Sequence, residues 1–417
     1  MRPETDQTNP EGPSFRATVN GDVAVTTERV AEPARKPAHA APSGPQRKPE
    51  DVPGRLGSTP SDHPEIHLFE PSGYAGVFQH ACRLGQLLGQ SGRRVVLHTG
   101  HEHEEVRIEG VDLCPCSWWP RHRDVGARRS GAIARRFVSR TLPHLHAAVP
   151  PGAVLHVEGI AAAGALTLLA LSVARFRDRL VIYSPHDTFS RRGRVDGALL
   201  RLALRVPHAI IVYSDADVEV LRHRGLEAYC SPLVQLVPEA SDDERLKWRY
   251  EWRAGSDVSV VLFAGCIRPE KRLDVLIESA RHWPANRRLA VVGEDRGGWA
   301  HCAELAEAYG VDVAARVEFL ELAEFAAAIS AADLVVLPYD KASQSGVLAV
   351  ARQLGTPTAA ANVGGLRELA SQTFEAGDPH DLNRAIDAQL ACAVAPDPSL
   401  DENLAITVHL LAYGQSA

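Results

Sequence analysis

Between Val260 and Gly365 the chain repeats one pattern: an apolar, β-branched run, a turn containing Gly or Ser, then a helical stretch. It opens with VVLFAGCIRPEKRLDVLIESA from Val260 and closes with DLVVLPYDKASQSGVLAVARQLGTPTAAANVGG from Asp333. Strands that read as continuous Val/Ile/Leu runs are buried on both faces, which predicts a parallel sheet covered by helices. In such sheets ligands sit beyond the carboxyl ends of the strands, where turns pass into helix N-termini. Those termini carry unpaired N–H groups and partial positive charge, which suits phosphate.

Two turns carry more specific chemistry. After Phe263, the turn Gly265–Lys271 places Arg268 and Lys271 at the mouth of a helix starting near Arg272. Two cations there make a diphosphate clamp, or simply a solvated first turn. After Leu337, the segment Pro338, Tyr339, Ser343, Gln344, Ser345, Gly346 presents hydroxyls, an amide and flexible backbone before a helix from Val347. An ordinary Ser N-cap is the plain alternative.

These landmarks, together with the Val291-Val292-Gly293 strand end, Leu354-Gly355-Thr356-Pro357 and Gly364-Gly365-Leu366-Arg367-Glu368, resemble the C-terminal half of glycosyltransferase family 4 in order and spacing. The resemblance implies the GT-B fold: two Rossmann-like parallel-sheet α/β domains facing a cleft, with a C-terminal helix crossing back to the first domain. It also implies a retaining transferase that takes its sugar from a UDP- or GDP-linked donor without a metal or other cofactor. Gly293, Tyr339, Ser343, Gln344, Ser345, Gly346 and Val347 would contact the donor. Arg268 and Lys271 would stabilise the diphosphate leaving group. One departure stands out. Where the family usually carries two glutamates around the Ser-Gly turn, this chain has Ser343 and Ala351. A subset of the family carries Ser at the first place, in a Ser-Gln-Ser-Gly setting like this one.

The chain has 417 residues, enough for two or three domains, and 45% hydrophobic residues support large cores. A formal charge of −7 gives no basic field for nucleic acid. Seven scattered Cys suggest no disulfide framework and point to a reducing, cytoplasmic setting. Neither a signal-peptide core nor a long apolar run is evident, so membrane contact is expected to be peripheral at most. Residues 1–63, rich in Pro, Ala, Arg and Glu, read as a disordered tail.

Residues 64–234 then read as the first, acceptor-side domain, completed by a crossover helix within 401–417, and residues 235–400 as the second. The first domain begins with a βαβ unit: strand Glu65–Phe69, a turn with Gly73 and Gly76, a helix from Val77 to about Leu88, and strand Val95–His98. Its turn is similar to the family's N-terminal loop, which implies that Gly73 and Gly76 face the donor phosphates.

His101-Glu102-His103-Glu104 offers metal-type residues but reads better as solvated surface. Cys114-Pro115-Cys116 is a close pair, yet nothing nearby in the sequence completes a zinc site. Trp118-Trp119 either stacks a sugar or plugs the core. A strand over Leu180–Tyr183 leads to His186, which by the resemblance contacts the donor sugar, with Asp187 as a neighbour that could orient it and Arg191 and Arg192 beyond. Ala209–Tyr213 is expected to end the first sheet. The acceptor stays open between a lipid- or polysaccharide-linked sugar and a small metabolite with a hydroxyl or thiol. A nucleotide-sugar-binding protein without turnover is the alternative from another class.

Overall fold

The computed structural model describes residues 63–119, 130–159, 164–176, 178–186, 188, 194–392 and 398–415. Residues 1–62 of the expected tail, Asp187, Arg191 and Arg192 lie outside the described residues.

The first domain alternates strands and helices: β1 (Ile66–Phe69), α1 (Ala75–Gln90), β2 (Val95–Gly100), β3 (Val111–Ser117), α2 (Ser130–Arg136), α3 (Leu142–Ala148), β4 (Val154–Glu158), α4 (Gly164–Arg175), β5 (Leu180–Ser184), α5 (Arg194–Ala203), β6 (Ala209–Val212), α6 (Asp215–Arg222) and β7 (Tyr229–Cys230). A π-helical turn, Phe137–Thr141, joins α2 to α3. The sheet order is β3-β2-β1-β4-β5-β6-β7. Thus β6 does not end the sheet as expected; the two-residue strand β7 does, too short to leave an apolar signature. The stretch after His101 is also more regular than its sequence suggests, since Cys114-Pro115-Cys116 lies within β3. Pro115 fits there because β3 is an edge strand.

The second domain follows with α7 (Asp242–Glu251), β8 (Ser259–Ala264), α8 (Leu273–Ala280), β9 (Arg287–Val292), α9 (Trp299–Tyr309), β10 (Val313–Arg316), α10 (Leu322–Ala331), β11 (Leu334–Leu337), α11 (Gly346–Gln353), β12 (Thr358–Ala361), α12 (Leu366–Leu369), β13 (Gln372–Phe374) and α13 (Pro379–Ala391). Its sheet runs β10-β9-β8-β11-β12-β13. Strand pairings in both sheets are parallel, as the continuous apolar runs require. β1, β4 and β11 are buried throughout, and β5 and β8 nearly so.

In each sheet the strand order reverses at one place, between β1 and β4 and between β8 and β11. Those switch points leave crevices at the strands' carboxyl ends. Helix α14 (Pro398–Ala412) returns to the first domain. Ala405, Leu410 and Tyr413 join that domain's core, while Glu402 bonds both Arg83 of α1 and Gln353 of α11.

The domains also touch near α6. A Cβ on Gly365 would lie 2.5 Å from Ser214 Cβ, and Glu368 accepts hydrogen bonds from the backbone N–H groups of Asp215 (2.8 Å) and Ala216 (3.0 Å). Glu368 therefore caps a first-domain helix from the second domain. Glu368→Ala is expected to cost about 1 kcal/mol and to lower the melting temperature by a few degrees in calorimetry.

Candidate active site

At the first switch point, the loop after β1 is built on a buried carboxylate. Glu70 accepts from the N–H of Ser72 (3.0 Å) and of Gly73 (2.7 Å), from the Ser72 hydroxyl, and from Thr99 Oγ1 (3.3 Å). Burial pushes its carboxyl above the usual range, against these hydrogen bonds. Gly73 has φ +75°, and a Cβ there would stand 2.7 Å from the Glu102 carbonyl oxygen, so only glycine fits. The next helix is capped from outside: Glu104 accepts from Ala75 N–H (2.9 Å) and Gln79 Nε2 (3.1 Å). Glu104 is 7% exposed, so this member of the His/Glu run is not solvated surface.

At the second switch point, the turn after β8 and the loop after β11 are joined. Asp340 N–H donates to the Glu270 carbonyl (3.0 Å), and Arg272 binds Asp274 and, at 2.8 Å, Asp340. Residues Pro269–Lys271 form a 3-10 turn, and α8 starts at Leu273. Lys271 Nζ lies 3.5 Å from the centroid of the Tyr339 ring, which is itself 1% exposed. Arg268 is partly exposed and 3.8 Å from Glu270. The charge of Arg272 is thus held by two aspartates, while that of Lys271 lies on an aromatic face beside the β11 loop.

In that loop, Ser343 and Ser345 are buried, and Ser345 Oγ caps α11 by accepting from Leu348 N–H. A Cβ on Gly265 would meet Val347 Cγ2 at 3.1 Å, so the two turns share one floor. Gly293 packs behind the Gly265 turn, where a Cβ would come within 1.9 Å of the Gly265 carbonyl oxygen. Gly293→Ala should therefore abolish soluble expression or shift the melting temperature down by many degrees. Ala351 is fully buried in the second core.

The two halves meet at close range. A Cβ on Gly346 would lie 4.0 Å from Gly76 Cα and 3.9 Å from Gln235 Nε2. The first turns of α1 and α11 therefore face each other across the cleft, with Gln235 between them. Buried Gln235 Oε1 and Gln344 Oε1 both lack a hydrogen-bond partner among the described residues. Two orphaned acceptors beside two helix N-termini mark a place built for a polar guest.

Behind the β4/β5 edge stands a network that sequence reading missed. Glu158, last residue of β4 and fully buried, accepts from His186 Nε2 (2.9 Å) and Tyr213 Oη (3.1 Å). Glu158 therefore orients His186, a role the sequence suggested for Asp187. Tyr213 Oη is also 2.8 Å from His80 Nε2, whose Nδ1–H donates to the Val234 carbonyl (2.7 Å). His156 bridges Ser184 Oγ and Tyr413 Oη, each at 2.7 Å. Burial pushes His80 down to about 4 and His156 down to about 3, so both are neutral at pH 7. Burial opposes charge on Glu158 too, but the surrounding imidazoles, His156 and His80 first, hold it below the usual carboxylate range. The only sequence signal was an acidic residue closing a buried strand.

Of the paired tryptophans, Trp119 packs against Phe137 in the core. Trp118 is 38% exposed, against His101 and under Arg140.

Two facing parallel-sheet domains joined by a returning C-terminal helix are the GT-B fold. Solved structures share it: sucrose-phosphate synthase from Thermosynechococcus elongatus aligns with a TM-score of 0.60 at 16% identity, covering 84% of this chain and 94% of that one. HepE of Anabaena in complex with UDP and glucose aligns at 0.59 and 15% identity, covering 85% and 95%. In sequence, residues 258–391 match the family Glycosyl transferases group 1. The D-inositol 3-phosphate glycosyltransferase of Mycolicibacterium paratuberculosis is 35% identical over 153 residues, 34% of each chain. That of Xylanimonas cellulosilytica is 38% identical over 117 residues, 27% of this chain and 28% of the relative. The chain thus spans about a third of the length of the curated relatives it matches.

Proposed function

We propose that this protein is a retaining glycosyltransferase. It moves a sugar from a nucleoside-diphosphate sugar to an acceptor hydroxyl or thiol and uses no metal for the transfer. The observation that carries this reading is the close approach of Gly76 and Gly346, where a Cβ on Gly346 would lie 4.0 Å from Gly76 Cα, which brings the first turns of two helices to one place. Negative charge grows on the diphosphate as the glycosidic bond breaks. Helix N–H groups, Arg268 and Lys271 stabilise it there without a metal. The acceptor attacks from the face the leaving group departs, so a phosphate oxygen takes its proton and no protein base is needed. His186, held by Glu158, orients the donor sugar. The match of residues 258–391, the half that holds the β8 and β11 loops, supports the same assignment. With Ser343 in place of a glutamate, the donor is UDP- or GDP-linked with its sugar still to be identified. The acceptor is a small metabolite or a glycan.

The test is incubation with a panel of UDP-, GDP- and dTDP-sugars, read by release of nucleoside diphosphate. Slow hydrolysis or transfer of at least one donor, lost in Arg268→Ala and Lys271→Ala, is expected. Tight nucleotide binding without turnover of any donor, across a broad acceptor panel, would replace the enzyme with a nucleotide-sugar-binding protein.

A further inference from the structure

We infer that the first domain carries a structural zinc site formed by His98, Cys114, Cys116 and His144. Near Cys114-Pro115-Cys116 the sequence offers no further ligands, but the fold supplies them. One ligand atom from each of the four residues falls within 4.8 Å of all the others. His98 and Cys114 are register partners on adjacent parallel strands, and Cys116 is the extra residue where the register shifts between Pro115 and Ser117. His144 reaches that face from α3: its Nε2 is 3.6 Å from Cys114 Sγ, and its ring stands 6.3 Å from that of His98. Cys116 Sγ is 4.0 Å from His98 Nδ1. The edges of a tetrahedron with Zn–S of about 2.3 Å and Zn–N of about 2.0 Å are only slightly shorter than these separations. A small inward movement of exposed His144 would close the set.

The surroundings fit a ligand rather than a chance cluster. His98 Nε2 is 2.9 Å from His67 Nδ1, and His67 Nε2 is 3.5 Å from Glu65 Oε2. If His98 Nδ1 binds metal, its Nε2–H donates to His67 Nδ1. His67 then carries its own proton on Nε2, facing Glu65. This tautomer assignment lets His67 accept from His98 and orient it, as outer-shell partners of metal-bound histidines do. Two thiolates and two imidazoles in a tetrahedral set select zinc over hard cations. Four protein ligands leave no open position, so the role is structural. The ion would staple edge strand β3 and helix α3 to β2, whose carboxyl end packs on the cleft loop: a Cβ on Gly100 would meet the Ser72 carbonyl at 2.6 Å.

The full-length, tag-free protein, purified without chelators, should contain about one zinc per chain by elemental mass spectrometry. Cys114→Ser/Cys116→Ser and, separately, His144→Ala should each lower zinc content about tenfold or more after dialysis. His144→Ala removes an exposed side chain, so it should fold even if the double variant does not. Replacement by Co(II) should give thiolate charge-transfer and intense tetrahedral d–d bands. Those bands should be weakened in His67→Ala through loss of ligand orientation. Zinc absent both as purified and after reconstitution, zinc unchanged by His144→Ala, or a Cys114–Cys116 disulfide in place of metal would each overturn the assignment. Sugar transfer is not read in this test, so its outcome is independent of the proposed activity.

Discussion

Lys271→Ala is expected to lower kcat for sugar transfer about 10²–10³-fold, with a much smaller change in the KM for donor. The magnitude is that of losing one pre-placed charge aimed at a developing anion in a water-poor site. The split follows because the charge on the leaving oxygen is largest in the transition state, so the ammonium contributes there more than to donor binding. The ammonium is held in place by the Tyr339 ring 3.5 Å away, which is buried and fixed by the β11 loop. Tyr339→Leu should therefore reproduce part of the loss, roughly tenfold, without removing the charge. Lys271→Arg should recover little, since a planar guanidinium does not replace a compact ammonium on that ring. Arg272→Ala is the contrasting control. Its guanidinium already bonds Asp274 and Asp340, so its loss should loosen the joined turns and lower stability before it lowers kcat. Steady-state rates of nucleoside diphosphate release, measured over donor concentration, separate these cases. A Lys271→Ala enzyme with wild-type kcat would remove the leaving-group role from this residue.

The two parallel sheets were legible because burial on both faces leaves its mark in the chain. VVLF at β8 and LVVL at β11 leave no polar face for solvent, and the Gly or Ser turn after each opens the cleft. What escaped reading was whatever depends on residues far apart in the chain. His80 and Tyr213 are 133 positions apart, and His156 and Tyr413 are 257 apart, yet each pair shares a hydrogen bond. No local periodicity carries such pairings. The Cys114–Cys116 pair fails for the same reason: its partners come from β2 and α3. Gly293 shows a subtler limit. A glycine at a strand end signals close approach, but not of what. Here the close approach is to the Gly265 carbonyl.

Glu158→Ala is expected to destabilise the first domain by about 3–5 kcal/mol, from the two donors left without their acceptor and the cavity the side chain leaves. That corresponds to a melting temperature lower by about 6–12 °C. Buried Tyr213 and partly buried His186 would each lose the carboxylate they now meet. The same cluster sets the acid limit. His80 and His156 are neutral in the folded chain, with values of about 4 and about 3, but take up protons below about 6.5 once unfolded. The unfolded state therefore binds more protons across that window, and stability falls as pH drops below 6.5. At pH 5 each histidine removes on the order of 1–2 kcal/mol. Glu158, held below the ordinary carboxylate range, extends the loss below pH 4.5. Urea midpoints should thus decline steadily from pH 7 to pH 5 in the wild type, and His156→Gln should make the slope shallower without abolishing it, since burial also lowers His67, His98 and His409. A midpoint constant over that range would mean that the cluster takes up protons without unfolding, and the buried imidazoles would then have to be charged partners of Glu158 rather than neutral ones.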